Sequence, residues 1–246
     1  MSRTRIIPVL TIMGNRLVKT VKFKNPNYIG DPLNAIKIFN EKRVDELIIL
    51  DIEASKQNKE PNYKLIYEMA GEAFMPLGYG GGIKTLEQAK KIFGLGIEKV
   101  VLNSVLQENS KVITQIASIY GAQSVVMSLD FKKNILGKLR PHFNSGKAYI
   151  KKDIKSFALE MIEYGIGEII LQDIDRDGTF VGYNLEMISE LKSLSIPIVA
   201  MGGCNNTQNM KEAVANGANA IAAGSLFVYR NNDPKSILIN YPSEVL

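Results

Sequence analysis

Four aspartates occupy positions where a carboxylate could carry out acid–base chemistry. Two of them, Asp51 and Asp130, each end a short apolar run that is typical of a β-strand. The other two, Asp175 and Asp177, closely follow a third such run. If these runs are parallel strands, the four carboxylates meet at one edge, where they could act as general acids or bases. Lys19 is a candidate partner cation, and the alternative for each aspartate taken singly is that it only caps a turn.

Pairs of small residues follow four other apolar runs and indicate sites for phosphate. Glycines placed directly after a parallel strand expose backbone N–H groups that can cradle an anion. The pairs form two candidate cradles, which are Gly81, Gly82, Asn103 and Ser104 in one half of the chain and Gly202, Gly203, Gly224 and Ser225 in the other. Two cradles suit a ligand that is phosphorylated at both ends. The alternative is that these glycines only form tight turns.

Short β-branched runs alternate with helical patterns throughout the chain, which is typical of βα units around a parallel sheet. The strands are nearly continuous in apolar character, as expected when both faces are covered. The predicted strands are Arg5–Ile12, Glu46–Ile52, Met75–Tyr79, Lys99–Leu102, Ser124–Asp130, Glu168–Gln172, Pro197–Met201 and Ala220–Ala223. The predicted helices are Asp31–Lys42, Asn62–Glu72, Leu86–Phe93, Lys111–Ile119, Ile154–Tyr164, Leu185–Leu194 and Thr207–Ala215, with a last short helix near Pro234–Asn240.

Eight strands with intervening helices close naturally into a barrel, and 246 residues is close to the roughly 250 typical of a (β/α)₈ barrel. We therefore predict an α/β protein with one (β/α)₈ TIM-barrel domain over residues 1–246. The alternative is an open doubly wound sheet, although no Gly-x-Gly-x-x-Gly turn follows the first strand. Two long inserts, Met13–Gly30 and Phe131–Lys152, follow the first and fifth strands, on the face where barrels build their active sites.

The two halves of the chain repeat the same signals. The segment Asp45–Ile52 resembles Gly167–Ile174, and glycines follow both the third and the seventh strand. Small polar residues follow both the fourth and the eighth. We interpret this as a tandem duplication of a half-barrel, although all barrels repeat βα units.

Charged residues also occupy the beginnings of four predicted strands. They are Arg5, Glu46, Lys99 and Glu168. The interior of a packed barrel is normally apolar. Two cations and two anions at this end therefore predict either a salt-bridge plug that closes the barrel floor or a polar gate.

Composition excludes several classes of protein. The 46% of hydrophobic residues and 22% of charged residues indicate a folded chain rather than a disordered one. One cysteine, Cys204, and one histidine, His142, exclude an intramolecular disulfide framework and a multi-cysteine or histidine-rich metal site, and we predict no metal and no cofactor. No apolar run could span a membrane and no signal peptide is recognisable, so we expect a soluble cytoplasmic protein. The net charge of +5 is spread over scattered lysines, without a nucleic-acid-binding motif.

Five segments of the chain, taken together, form a recognisable sequence pattern. They are Arg5–Pro8, Asp45–Ile52, Gly80–Ile83, Ile174–Thr179 and Gly202–Gly203. They resemble the cyclase subunit of imidazole glycerol phosphate synthase, HisF, and the resemblance covers essentially the whole chain. It implies a heterodimer with a HisH-like glutaminase that produces ammonia. The ammonia would pass through the barrel from its floor and react at the top with a bisphosphorylated ribulosyl substrate.

The resemblance also implies roles for individual residues. It makes the four charges at the strand beginnings an ammonia gate, with Glu98 beside the entrance. Lys19, Asp51 and Asp130 match active-site positions, and Asp130 matches one of two catalytic aspartates. The matching phosphate-site positions are Asn103, Asp177, Gly203, Gly224 and Ser225, and we include the neighbouring Gly178.

The chain departs from the family at the other catalytic aspartate, which should follow Leu10. Thr11 stands there, and a threonine hydroxyl cannot exchange protons near neutral pH as a carboxylate can. Two further departures are Ala148, in the insert after the fifth strand, and Cys204, in the turn after the seventh. These differences bear directly on the cyclisation chemistry.

A second set of segments resembles a paralogous branch of the family that lacks the first aspartate. They are Leu17–Lys24, Tyr28–Pro32 and Phe74–Gly80. That branch accompanies acetamidino modification of surface-polysaccharide sugars, with a HisH-like glutaminase and an ATP-dependent sugar amidotransferase. We therefore predict an ammonia-channelling HisF-like subunit for sugar amidination. The alternatives are a competent cyclase of histidine biosynthesis, because Asp130 and both cradles remain, and a non-catalytic scaffold that activates the glutaminase.

Overall fold

The computed structural model describes residues 3–241, which form a barrel of strands wrapped in helices. The strands are β1 (Arg5–Met13), β2 (Arg16–Val21), β3 (Lys24–Gly30), β4 (Leu47–Asp51), β5 (Leu77–Gly80), β6 (Lys99–Leu102), β7 (Val125–Lys133), β8 (Leu139–Phe143), β9 (Ala148–Tyr149), β10 (Glu168–Asp173), β11 (Ile198–Met201) and β12 (Ala220–Ala223). Strands β1, β4, β5, β6, β7, β10, β11 and β12 pair in parallel, and the pairing of β10 with β7 closes the ring. The predicted (β/α)₈ barrel is confirmed, and the alternative of an open sheet is wrong.

Helices cover the outside of the barrel between the strands. They are α1 (Pro32–Glu41), α2 (Tyr63–Glu72), α3 (Leu86–Gly94), α4 (Val105–Glu108), α5 (Lys111–Tyr120), α6 (Ile154–Tyr164), α7 (Leu185–Leu191), α8 (Thr207–Ala215) and α9 (Ser225–Val228). The seven longer ones correspond to predicted helices. The sequence did not predict the single-turn helices α4 and α9, because one turn is too short to show a helical period.

The predicted helix near Pro234–Asn240 is wrong. The backbone N–H of Leu238 donates to the carbonyl of Val228, and that of Asn240 donates to the carbonyl of Phe227. These donors therefore serve the chain around α9 instead of carbonyls four residues earlier. The segment crosses the last helix in an extended conformation, apart from a turn at its start.

Both long inserts form antiparallel strands that extend the barrel wall. Strand β2 pairs with the end of β1 and with β3, while β8 pairs with the end of β7 and with β9. Strand β7 continues to Lys133, so Asp130 lies within the strand and not at its end as predicted. The two hairpins rise above the carboxyl ends of the barrel strands and become walls of the mouth.

Side chains along the barrel strands alternate between the lumen and the helices. Residues two apart therefore face the lumen at successive heights, as Glu168, Ile170 and Gln172 do in β10. The middle of the lumen is apolar, and the side chains that face it are Ile7, Val9, Ile48, Val101, Val126, Ile170, Val199, Ala220 and Ala222. The alternate side chains pack under the helices as a second, larger core.

At Gly80, strand β5 faces the lumen with a glycine, because side chains of the neighbouring strands β4 and β6 occupy the space that a larger residue would need. A Cβ atom on Gly80 would lie 2.9 Å from both Leu50 Cδ2 and Val101 Cβ. Adding a methyl group there should displace two packed side chains. Gly71 in α2 is a helical glycine with open surroundings, since a Cβ atom there would meet nothing within 4 Å.

We expect Gly80→Ala to lower the free energy of unfolding by about 1–3 kcal/mol through overpacking. Gly71→Ala is the matched control, and it should raise the free energy of unfolding by about 0.5–1 kcal/mol because alanine favours the helix. Urea unfolding of the two variants measures both effects. Equal stability of Gly80→Ala and the unmodified protein would contradict the close packing of β5 against its neighbours.

Candidate functional site

The mouth of the barrel holds a cavity of about 1030 Å³, which includes space open to solvent. Its walls come from the carboxyl ends of the barrel strands and from both hairpins. The site residues predicted from sequence that line it are Thr11, Lys19, Asp51, Gly81, Gly82, Asn103, Ser104, Asp130 and Asp177. The structure thus brings three of the four candidate aspartates, Lys19 and the first cradle into one space.

Asp130 is the buried carboxyl group of this cavity. Burial raises the pKa of Asp130 to about 7, and the negative charge of Asp177 adds to the increase. The hydroxyl of Ser128 opposes it by donating a hydrogen bond of 2.7 Å to Asp130 Oδ1. A carboxyl group with this pKa is partly protonated and partly ionised near neutral pH, so it can both give and accept a proton.

Thr11 lines the same cavity, but its hydroxyl is already engaged. The side chain is buried, and Oγ1 donates to the backbone carbonyl of Val18 in β2. The hydroxyl therefore ties the first hairpin to the barrel strand. It supplies no group that titrates near neutral pH, so the cavity lacks a second proton carrier at this position.

Lys19 reaches from the first hairpin to Asp177, whose carboxylate oxygen lies 3.4 Å from Nζ. Both side chains are buried, and Thr20 also donates to Asp177 over 3.4 Å. A Cβ atom on Gly224 would lie 2.9 Å from Lys19 Nζ. The ammonium group therefore lies beside the backbone of the second cradle, as an anion-binding cation would.

The second cradle forms a smaller cavity next to the first, of about 270 Å³ including space open to solvent. It is lined by Asp177, Gly178, Gly202, Gly203, Gly224 and Ser225, together with Phe180, Met201, Cys204 and Ala223. Gly203 has a φ of +90°, and a Cβ atom there would lie 2.4 Å from the carbonyl oxygen of Gly182. The two cavities share Asp177 and Met201, so a single ligand could extend through both.

The first cradle has fewer free donors than the sequence indicated. The N–H of Gly82 donates to Ser55 Oγ at 3.2 Å, and the Asn103 amide donates to the Ser128 carbonyl at 2.9 Å. Ser104 Oγ points to the side-chain oxygen of Asn103 at 3.4 Å. Much of this set is therefore engaged in holding the loops and β7 in place.

The other two aspartates differ from expectation. Asp51 lines the cavity, and burial raises its pKa, but its Oδ1 accepts the N–H groups of Glu53 and Ala54 as a turn cap. Asp175 is exposed, accepts the N–H of Lys133, and lines neither cavity. The prediction that Asp175 points into the mouth is wrong, because the turn after β10 directs it toward the second hairpin.

The two further departures from the family, Cys204 and Ala148, lie in different parts of the structure. Cys204 lines the smaller cavity, and burial raises the pKa of its thiol to about 11. Ala148 lies in β9 and lines neither cavity. Of the two, Cys204 is therefore placed to change what the second cradle accepts.

Sequence reasoning missed two polar residues of the mouth, Ser128 and Gln172. Both are buried and both line the cavity. Each lies two residues above a lumen-facing apolar residue, Val126 and Ile170 respectively. Extending the two-residue alternation from the barrel floor would have identified them.

The four charges at the strand beginnings form a closed set of ion pairs at the barrel floor. Arg5 contacts both Glu46 and Glu168, and Lys99 lies 2.9 Å from Glu46 and 2.7 Å from Glu168. Both glutamates are buried, whereas the two cations are partly exposed. Burial alone would lower the pKa of Arg5, but its contacts with Glu168 and Glu46 outweigh that and raise it.

Residues 3–241 contain neither a cluster of metal ligands nor a membrane-spanning helix. No three His, Cys, Asp or Glu side chains converge there as metal ligands would. None of the helices in that range combines the length and apolar character needed to cross a bilayer.

The pKa of Asp130 can be tested with two variants that should move it in opposite directions. Ser128→Ala removes a hydrogen bond to the ionised form, so the pKa should rise. Asp177→Asn removes a negative charge, so the pKa should fall. Carbon NMR of labelled aspartate, followed over pH, measures both shifts, and two shifts of the same sign would contradict this account of the site.

Comparison with known proteins shows the family to which the chain belongs. A model of the family of histidine biosynthesis proteins matches residues 5–233. A protein of Leptospira borgpetersenii, provisionally named imidazole glycerol phosphate synthase subunit HisF, is 50% identical over 99% of this chain and 96% of its own length. A Pseudomonas aeruginosa protein, provisionally named subunit hisF2, is 47% identical over 98% of this chain and 97% of its own. The Helicobacter hepaticus protein, named subunit HisF without that qualification, is 34% identical over 95% and 93%. The chain therefore belongs to the family of histidine biosynthesis proteins, and its resemblance to HisF extends over nearly its whole length.

Proposed function

We propose that this protein is a HisF-like subunit that receives ammonia from a HisH-like glutaminase, in acetamidino modification of a surface-polysaccharide sugar. One observation carries the proposal: an ion-pair ring, an apolar lumen and a cavity that contains Asp130, whose pKa is about 7, lie at successive heights of the same barrel. Ammonia is small and uncharged, so an apolar lumen admits it at far lower cost than an ion. The ring is balanced in charge, so it can control entry without leaving a net charge at the floor.

Features of the mouth support the proposal that the ligand is phosphorylated. The glycines of the second cradle leave backbone atoms open to the smaller cavity, and the ammonium group of Lys19 lies beside Gly224. Asp130 adjoins this region through the larger cavity and can exchange protons near neutral pH. A ligand held by its phosphate would therefore place its reacting atoms near one acid–base group.

Two lines of support favour sugar amidination over histidine biosynthesis. Thr11 replaces the expected second aspartate, and its hydroxyl donates a hydrogen bond to the backbone carbonyl of Val18. Four relatives with provisional HisF names share 47–50% identity with this chain, while a fifth shares 37%, close to the 34–36% of relatives named subunit HisF without that qualification. The chain thus resembles those four provisionally named copies more closely. In this proposal an ATP-dependent sugar amidotransferase is the further partner.

A second candidate is the cyclase reaction of histidine biosynthesis itself. The observation that favours it is the pKa of Asp130 at about 7, which suits an acid–base catalyst at that position. Ammonia entry through the barrel floor is common to both candidates. The two candidate functions differ at Thr11: the cyclase reaction requires that Asp130 suffices for the proton transfers, and sugar amidination does not.

The floor end of the barrel offers features of a docking face for the glutaminase. Phe74 precedes β5 at this end, and its side chain is 87% exposed. Glu98 precedes β6 at the same end and is also exposed, while its Oε2 accepts the N–H of Leu77. Exposed aromatic side chains often carry much of the binding energy of an interface. The opposite end has an equally exposed apolar residue, Ile135, at the tip of the second hairpin.

We expect Phe74→Ala to weaken binding of the host's HisH-like glutaminase by about tenfold or more, as loss of an interface anchor does. Glu98→Gln keeps the acceptor for Leu77 but removes the charge, so it should weaken binding less. Ile135→Ala is the matched control at the mouth and should leave binding unchanged. Analytical ultracentrifugation of the purified pair measures the dissociation constants. Weakening by Ile135→Ala alone would place the docking face at the mouth and contradict the proposal.

The missing carboxylate leads to a test of the reaction. With ammonium salt and the bisphosphorylated ribulosyl substrate of HisF, the unmodified protein should form little or no product, because Asp130 alone supplies proton transfer. Thr11→Asp should raise any residual rate by about 10²-fold, since a positioned acid–base group contributes at least that much. Thr11→Val should give no gain, and Asp130→Asn should remove the residual activity.

Product formation at mildly alkaline pH measures these rates. Rapid turnover by the unmodified protein would contradict sugar amidination and establish the cyclase reaction instead. No gain with Thr11→Asp would show that the pocket itself has diverged, with Cys204 in the second cradle as the next residue to exchange.

A further inference from the structure

Gln172 is a polar side chain of the barrel lumen that no structural requirement explains. It is 2% exposed, lies in β10 and lines the mouth cavity. Its Nε2 donates to the backbone carbonyl of Asp173 at 3.4 Å, whereas its Oε1 has no hydrogen-bond partner within the protein. An unpaired buried acceptor costs stability. Ile170, two residues below, shows that an apolar side chain fills the same face of this strand.

The position of Gln172 connects the acid–base group to the second cradle. In the pairing of β10 with β7, Gln172 lies directly opposite Asp130. On its other side, a Cβ atom on Gly202 would lie 3.2 Å from Gln172 Nε2. The side chain therefore lies between Asp130 and the glycine turn that lines the smaller cavity.

We propose that Gln172 determines ligand specificity, with its Oε1 accepting a hydrogen bond from a hydroxyl group of a sugar phosphate. The phosphate lies in the second cradle, and the hydroxyl-bearing carbon chain extends past Gln172 toward Asp130. The inference rests on the proposed function for the phosphate in that cradle. The unpaired acceptor selects ligands that carry a donor at this distance from the phosphate, because a ligand without one leaves Oε1 buried and unpaired.

The test compares two probes that differ only in the part that would reach Gln172. Inorganic phosphate occupies the cradle alone, and D-ribitol 5-phosphate adds hydroxyl groups but no carbonyl that could react with Lys19. We expect the unmodified protein to bind ribitol 5-phosphate more tightly than phosphate in titration calorimetry. Gln172→Met, which keeps the size but removes the acceptor, should weaken ribitol 5-phosphate binding about tenfold and leave phosphate binding unchanged.

Thermal unfolding separates this role from a structural one. Gln172→Met removes an unpaired polar group, so the melting temperature of the free protein should stay the same or rise. Ile170→Val is the matched control in the same strand, and it should lower the melting temperature through lost packing but leave both affinities unchanged.

Three outcomes would overturn the inference. One is a ribitol 5-phosphate affinity that does not change in Gln172→Met, and another is an equal loss for both probes, which would place the effect in the cradle. The third is that ribitol 5-phosphate binds the unmodified protein no more tightly than phosphate does. Failure of the proposed cradle is distinguishable, because inorganic phosphate would then not bind the unmodified protein at all, and the inference would fall with it.

Discussion

The alternation of side chains along the parallel strands is the constraint on which the site depends. Once the sheet closes, every second residue must face a narrow lumen, and residues of neighbouring strands meet at the same height. In β10 this places Glu168 at the floor, Ile170 in the apolar middle and Gln172 at the mouth. The alternation therefore decides which residues face the lumen at each height, and in this chain those residues form a polar floor, an apolar middle and a polar mouth.

The ion-pair ring shows what this geometry demands of charged residues. Taking a carboxylate out of water costs several kcal/mol, and a buried pair recovers this only with good geometry. Glu46 and Glu168 each contact both Arg5 and Lys99, so neither buried charge lacks a partner. Removing one member would leave a buried charge unbalanced, which ties the four residues together whatever passes between them. Structural stability and control of entry are thus compatible uses of the same ring.

The mouth separates two carboxyl groups by their surroundings. Asp177 is buried with the ammonium group of Lys19 3.4 Å away, while Asp130 has only the Ser128 hydroxyl as a donor. Burial without a cation raises the pKa of Asp130 to about 7, and the nearby charge of Asp177 adds to the effect. Asp177 therefore has a cationic partner beside the second cradle, whereas Asp130 is placed to exchange protons. With Thr11 committed to the hairpin, the cavity has one such proton carrier on its β7 side and none at β1.

The sequence by itself determined the eight barrel strands, the seven longer helices and the charges at the strand beginnings, because apolar periodicity is a local property. The tertiary structure decided what depends on distances between remote segments. It directed Asp175 out of the mouth, engaged the Thr11 hydroxyl with Val18, and left Gln172 Oε1 without a partner beside Asp130. It also converted the inserts into hairpins and the expected last helix into an extended segment. These outcomes depend on which atoms meet once the barrel has closed, and the local sequence pattern does not encode that.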